Sequence, residues 1–255
     1  MNFDRIEVAS PFPGPIYRVA ETESTMRDAR LLAARDEADG AGVLAGYQRS
    51  GRGRVDGRKW SARPGESVLC TLLLRRPPSQ GFTLRVGLAA AEAAESFLPA
   101  GARAEVKWPN DVLVGGRKLC GILCEGDGSV VYVGIGINVA QASFPKELAD
   151  TATSIARELT DTDEIPTIET VLSKFLFHLD AALSRQDWRE AVTARLWGLG
   201  SAVRFRSGDP AREDIIEGRV VGLGDSGELI LANARMADGS VRAEYRAFSG
   251  ELPVA

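Results

Sequence analysis

The stretch Lys107-Trp108-Pro109-Asn110-Asp111, followed by Gly116-Arg117-Lys118-Leu119-Cys120-Gly121-Ile122-Leu123, governs how the rest of the chain is read. Two lysines flank a rigid Trp-Pro pair, and the second opens an apolar, strand-like run that contains a glycine. A lysine entering an apolar strand is costly unless an anion or a substrate oxygen meets its ammonium. Glycine inside such a strand often marks the close approach of a ligand or of another backbone. A negatively charged group is therefore expected to bind here.

A second stretch points the same way. Gln48-Arg49-Ser50-Gly51-Arg52-Gly53-Arg54-Val55-Asp56-Gly57-Arg58-Lys59-Trp60 carries five cations that repel one another, so the empty loop should be mobile. Its glycines allow tight folding around an anion. Arginine supplies planar, bidentate donors for phosphate or carboxylate. Trp60 offers an aromatic wall for a flat group. A loop of this kind can order around a phosphorylated or acyl-phosphate ligand and exclude water from it. An exposed basic loop that contacts nucleic acid is the competing reading.

The 255 residues suit one large domain, or one domain with a small appendage. A net charge of −4 gives no global attraction to nucleic acid or to anionic membranes. No apolar run approaches the roughly 20 residues needed to span a bilayer. The first residues lack the order of a secretory signal. Cys70, Cys120 and Cys124 all lie in apolar segments, which points to reduced, buried thiols and a cytoplasmic home. His178 falls in a helical pattern, too far along the chain to complete a metal site with them.

Along the chain, periodicity predicts a helix over Glu23–Ala38, strands over Val43–Tyr47 and Ser67–Leu74, and an alanine-rich helix over Thr83–Phe97. Strands follow over Ala104–Lys107, Lys118–Glu125 and Val130–Val139, the last two forming a hairpin around Gly126-Asp127-Gly128-Ser129. Helices are expected over Ile168–Ala182 and Trp188–Trp197. After Gly198-Leu199-Gly200-Ser201 the pattern changes to short β-like runs, Ala202–Arg206, Ile215–Val221, Glu228–Ala232 and Val241–Phe248. These suit a small all-β module compact enough for a barrel.

Taken in order, Gln48 with GRGR at 51–54 and Trp60, then KWPND at 107–111 and GRKLCGIL at 116–123, resemble the biotin protein ligases. The resemblance extends to Ser24-Thr25, to Gly134-Ile135-Gly136-Ile137-Asn138 and to the C-terminal β-module. It implies an α+β fold, with a mixed β-sheet and flanking helices of the class II aminoacyl-tRNA synthetase and biotin ligase type over 1–198. A small SH3-like β-barrel is implied over 199–255. It also implies a two-step reaction. Biotin and ATP give biotinyl-5′-adenylate and pyrophosphate, and a lysine of a biotin carboxyl carrier protein domain then takes the biotin and releases AMP.

By the same resemblance Ser24, Thr25 and Gln48 hold the ureido head of biotin, with Met26 beside them. Arg52, Gly53 and Arg54 close over biotin and the adenylate phosphate. Lys118 contacts the reacting carboxyl and phosphate oxygens, and Lys107 assists with phosphates. Gly121 and Leu123 line the biotin pocket, while Trp60 and Asn138 help hold the nucleotide. Mg²⁺ is expected with ATP, with Asn110 or Asp111 as its contact or that of the nucleotide. The departures are Met26 where the family usually has Asn, an extra residue at Val55-Asp56, and Cys120 where Ala is common. Only about twenty residues precede Ser24, which matches the short form without a DNA-binding repressor domain. A homodimer is left open. The alternative within the superfamily is a lipoate or octanoate transferase. The alternative outside it is a non-catalytic nucleic-acid binder.

Overall fold

The computed structural model describes residues 3–253 apart from 55–59, 61, 127, 161 and 209–213. In chain order its elements are β1 (Asp4–Ile6), β2 (Ile16–Thr22), α1 (Thr25–Ala34), β3 (Gly42–Gln48), β4 (Ser67–Leu74), α2 (Phe82–Glu95), β5 (Ala104–Lys107), β6 (Asp111–Val114), β7 (Arg117–Gly126) and β8 (Val131–Asn138). Then come α3 (Ile155–Glu158), α4 (Ile168–Ser184), α5 (Trp188–Thr193), β9 (Ala202–Ser207), β10 (Ile215–Leu223), β11 (Leu229–Arg235), β12 (Val241–Ala247) and β13 (Gly250–Glu251). The first eight strands form one mixed sheet in the order β1-β2-β3-β4-β8-β7-β6-β5. Its only parallel pair among the described residues is β2 with β3. The last five form an antiparallel sheet in the order β12-β11-β10-β9-β13. This is the α+β architecture that the resemblance implies, with the small all-β module that the sequence pattern implies.

The pleat of β4 shows why its run SVLCTLLL is apolar throughout. Val68, Cys70, Leu72 and Leu74 join a core shared with α2 and α4. Leu69 and Leu73 point to the opposite face, into a second core with Met26, Ala29 and Leu32 of α1. A strand covered on both faces needs no polar alternation, so the one polar residue at its centre, Thr71, stands out; it is buried. Helix α1 therefore covers only part of its face, and the uncovered part is where the cavity forms.

Four strands escape the sequence pattern. In β2 (IYRVAET) the burial is irregular along the strand, which hides the alternation. β6 is only four residues long and begins at the last residue of KWPND. β1 and β13 are shorter still. The helix expected over Glu23–Ala38 is shorter than predicted, since Asp36 takes a positive φ of 57° just after the cap at Arg35. The hairpin between β7 and β8 is present, with Gly126 paired to Val131; Asp127 of its turn lies outside the described residues.

Aromatic packing joins the two sheets. Trp108 is buried, its indole Nε1 donates to the Gly227 carbonyl at 3.0 Å, and its ring lies 5.8 Å from Phe205 of β9. Phe205 in turn meets Tyr245 at 6.2 Å. Trp108 thus anchors the C-terminal sheet to the turn between β5 and β6. Phe205 is fully buried, so Phe205→Ala should cost about 3–5 kcal/mol. Urea unfolding of the variant against the parent checks this.

Candidate functional site

One cross-strand row sets out the floor of the site. Leu69 on β4 pairs with Gly136 on β8, Gly136 with Gly121 on β7, Gly121 with Asp111 on β6, and Asp111 with Lys107 on β5. The next row pairs Thr71 with Gly134 and Gly134 with Leu123. The three glycines remove side chains from the middle of this surface and leave a cavity of about 330 Å³.

What approaches Gly121 most closely is an aromatic side chain. A Cβ on Gly121 would lie 2.7 Å from Cζ3 of Trp60, and one on Gly136 only 2.5 Å from its Cε2. The indole rests on the two glycines, and the Lys118 ammonium lies 5.5 Å from its ring centre. Trp60 is therefore the wall expected from sequence, seated against the floor.

Lys118 reaches this surface because of a bulge. Val112 pairs with Cys120 but Leu113 pairs with Lys118, so Leu119 is an extra residue in β7. A single extra residue reverses the alternation, which lets Lys118 share the cavity with Gly121 and Leu123 despite the odd spacing. Its backbone is clamped as well: the amide donates to the Thr151 carbonyl at 2.7 Å, and its carbonyl accepts from the Thr153 amide at 2.9 Å.

Asp111 holds both lysines. Its carboxylate lies 2.7 Å from the Lys118 ammonium and 3.7 Å from that of Lys107. Lys107 is buried, whereas Lys118 is partly open. Burial lowers the Lys107 pKa from its ordinary 10.5; Asp111 and Glu251 pull it back up, and Lys118 lowers it further. Asn110 locks the turn by donating its amide to the Ile122 carbonyl at 2.8 Å while its own carbonyl accepts from the Ile122 amide.

At the other end, the Gln48 carboxamide oxygen accepts from the Thr25 amide at 2.8 Å and from the Thr25 hydroxyl at 3.1 Å. The Thr25 and Thr71 hydroxyls lie 2.8 Å apart. Ser24 stands at the N-cap of α1, but its hydroxyl makes no capping bond. Met26 is buried, its methyl 3.1 Å from where a Cβ on Gly134 would stand.

The basic loop is tethered where it is described. Arg49 pairs with Glu21 and Glu23, Arg52 lies 3.9 Å from Glu125, and Arg54 donates to the Gly250 carbonyl at 2.6 Å. These partners offset part of the mutual repulsion of those three arginines. Val55, Asp56, Gly57, Arg58 and Lys59 lie outside the described residues.

The cavity gathers Ser24, Thr25, Met26, Gln48, Arg52, Gly53, Arg54, Trp60, Lys107, Asn110, Lys118, Gly121 and Leu123. Of the residues expected at the site, only Asn138 does not line it. Its amide donates to the Thr153 carbonyl at 2.9 Å and lies 3.4 Å from that of Lys118, and its oxygen accepts from Gln141. These bonds brace the strand beneath Lys118. Thr71 and Glu251 line the cavity unforeseen. Thr71 could have been found as the lone hydroxyl in an apolar strand, whereas Glu251 had no local signal. Among the described residues no three His, Cys, Asp or Glu side chains gather to hold a metal. The three cysteines are free, and burial pushes the Cys70 and Cys124 thiols up to about 12. His178 lies on α4 beside Glu92, at 3.3 Å.

Comparison with known proteins gives this arrangement a context. A model of the biotin/lipoate A/B protein ligase family matches residues 17–141. The chain is 34% identical over 227 residues to the biotin--[acetyl-CoA-carboxylase] ligase of Mycobacterium tuberculosis, covering 84% of this chain and 81% of that protein. It is 32% identical over 229 residues to the bifunctional ligase/repressor BirA of Bacillus spizizenii, covering 82% of this chain and 66% of the length of that relative. A solved biotin protein ligase from Aquifex aeolicus in complex with biotin and ATP aligns with a TM-score of 0.74 and 27% identity, over 93% of this chain and 97% of that one.

The lowered pKa of Lys107 has a testable consequence. An anion at this turn needs the ammonium charged, and Lys107 loses its proton below the ordinary value of 10.5. Affinity for a polyphosphate such as ATP should therefore fall as pH rises toward 10.5, beginning earlier than for an exposed lysine. Arginine stays charged across this range, so Lys107→Arg should flatten the fall. Calorimetric titrations at a series of pH values check both.

Proposed function

This chain belongs to the biotin/lipoate A/B protein ligase family, and we propose that it acts as a biotin protein ligase. On this reading it activates biotin with ATP and transfers it to a lysine of a biotin carboxyl carrier protein domain. The observation that carries the reading is the two-ended cavity: neutral hydrogen-bonding groups at Thr25, Gln48 and Thr71, and cations at Lys107, Lys118, Arg52 and Arg54. Biotin has the matching shape in chemical terms, a neutral ureido head and a carboxylate tail.

In the first step a biotin carboxylate oxygen attacks the α-phosphorus of ATP, and the bond to pyrophosphate breaks. Two anions must meet, and Lys118 is placed to neutralise the charge that grows on the phosphoryl oxygens. Asp111 fixes its ammonium in advance, so little reorganisation is required at the moment of reaction. Lys107 supports the polyphosphate from the same turn. In the second step the neutral amine of the carrier lysine attacks the acyl carbon, the C–O bond of the mixed anhydride breaks, and AMP leaves. Arg52, Gly53 and Arg54 cover the adenylate and keep water from competing as nucleophile.

Trp60 gives the nucleotide or biotin a flat wall, and Asn138 acts by positioning Lys118. Magnesium enters this reading as the counter-ion of the triphosphate. Among the described residues, those of the cavity do not compose a resident metal site. We assign residues 1–198 to catalysis and 199–255 to a module that brings Glu251 to the cavity and holds Arg54 through the Gly250 carbonyl. A cytoplasmic setting fits the free thiols and the need for ATP.

The lipoate alternative predicts a ligand without ureido hydrogens, which would add no hydrogen bond to those that Thr71 and Gln48 already make with Thr25. Incubation with biotin, Mg-ATP and a carrier domain should give the mass gain of biotinylation; lipoate transfer without biotin transfer would overturn the reading. Lys118→Ala should slow adenylate formation by roughly 10²–10³-fold, more than Lys107→Ala, in a pyrophosphate-release assay. Arg54→Gly should leave folding intact and shorten retention of the adenylate, measured by its rate of release.

A further inference from the structure

The bulge that delivers Lys118 to the cavity interrupts the ladder of β7 at Leu119, so the start of that strand needs a brace from elsewhere. The brace is a segment outside the sheet. Ala152 pairs in parallel with Lys118, and its neighbours Thr151 and Thr153 supply partners for the Lys118 amide and carbonyl. Asn138 ties the same segment to β8 through the Thr153 carbonyl. A carboxylate then fastens it to β7. One oxygen of Glu158, the last residue of α3, accepts from the Thr153 hydroxyl and, at 2.7 Å, from the Arg117 guanidinium. Arg117 directly precedes Lys118, and successive side chains of a strand point to opposite faces. Pinning Arg117 to Glu158 on one face therefore aims Lys118 at the cavity on the other.

We propose that Glu158 is a positioning residue for Lys118, acting through Arg117 and Thr153 to hold the start of β7 in its bulged register. Glu158 does not line the cavity, so its effect on the reaction passes through Lys118. The assignment rests on the biotin ligase reading, which supplies the step that uses Lys118, and adds to that step a residue outside the cavity. The Arg117 side chain is 34% exposed, and an ion pair that open to solvent contributes little to stability. Its effect belongs instead to geometry. A misplacement of about 1 Å costs about 100-fold in a step that depends on orientation.

The test follows pyrophosphate release from Mg-ATP and biotin by the intact protein and by the Glu158→Ala, Glu158→Gln and Lys118→Ala variants. Glu158→Ala should lower kcat at least about tenfold and leave KM for biotin and for ATP within about twofold. Glu158→Gln keeps a carbonyl oxygen for Arg117 and Thr153, and should return kcat to within about threefold of the parent. Adding Glu158→Ala to Lys118→Ala should cost less than about twofold more, because nothing is left to position. Costs that multiply in the double variant overturn the assignment. So does an unchanged kcat in Glu158→Ala, or a Glu158→Gln variant that fails to recover it. If Glu158→Ala does not fold, Arg117→Met opens the same latch from the other side and is read by the same kcat, KM and double-variant criteria. A parent that releases no pyrophosphate with biotin overturns the ligase reading itself, and the assignment with it.

Discussion

The shared carboxylate of Asp111 is the constraint from which the rest of the site follows. Lys107 and Lys118 come from different strands, and both ammonium groups would have to enter a low-dielectric surface. Two like charges so placed would repel, and each would bear a desolvation cost that burial alone does not return. One carboxylate 2.7 Å from the first and 3.7 Å from the second makes the trio tolerable while leaving it a net positive charge. That residual charge is what a phosphate or carboxylate can meet. The turn must therefore be rigid, and it is held by Asn110 to the Ile122 backbone and by Trp108 to the C-terminal module.

Much of this was legible in the sequence, for reasons that can be stated residue by residue. Lysines in apolar strands, arginines among glycines and a Trp-Pro pair point to a site through their combination and order rather than singly. Strands such as β4 and β8 were legible because burial on both faces makes a continuous apolar run. β6 was not, because four residues carry too little pattern. The bulge at Leu119 could not be read either: a strict period of two puts Lys118 and Gly121 on opposite faces, and only the register of β7 against β6 shows that they share one. Glu251 is remote in sequence from every motif, and arrives through the docking of a whole module.

That docking explains why the aromatic pair Trp108 and Phe205 is central to more than stability. Trp108 sits between the two lysine-bearing strands, so its contact with β9 ties the position of the C-terminal sheet to the geometry of the anion turn. The same sheet returns β13 to the cavity, where the Gly250 carbonyl holds Arg54 and Glu251 faces the lysines. The module is thus bonded to the basic loop and to the turn beneath it. On the proposed reading, a ligand that draws Arg54 toward a phosphate must compete with that carbonyl.

The two ends of the cavity discriminate by different physics. The cationic end attracts any carboxylate or phosphate of suitable reach, and Coulombic attraction in a partly open site is tolerant of shape. It cannot by itself separate biotin from another fatty or heterocyclic acid. The Thr71–Thr25–Gln48 end carries no charge, but Thr25 and Thr71 are buried and hydrogen-bonded to one another and to Gln48. A buried hydroxyl such as that of Thr71, left facing a group that cannot pair with it, costs about 1–3 kcal/mol. On the proposed reading, selection among acids belongs to the neutral end and activation of the chosen acid to the charged one. The glycine floor between them lets one small molecule touch both.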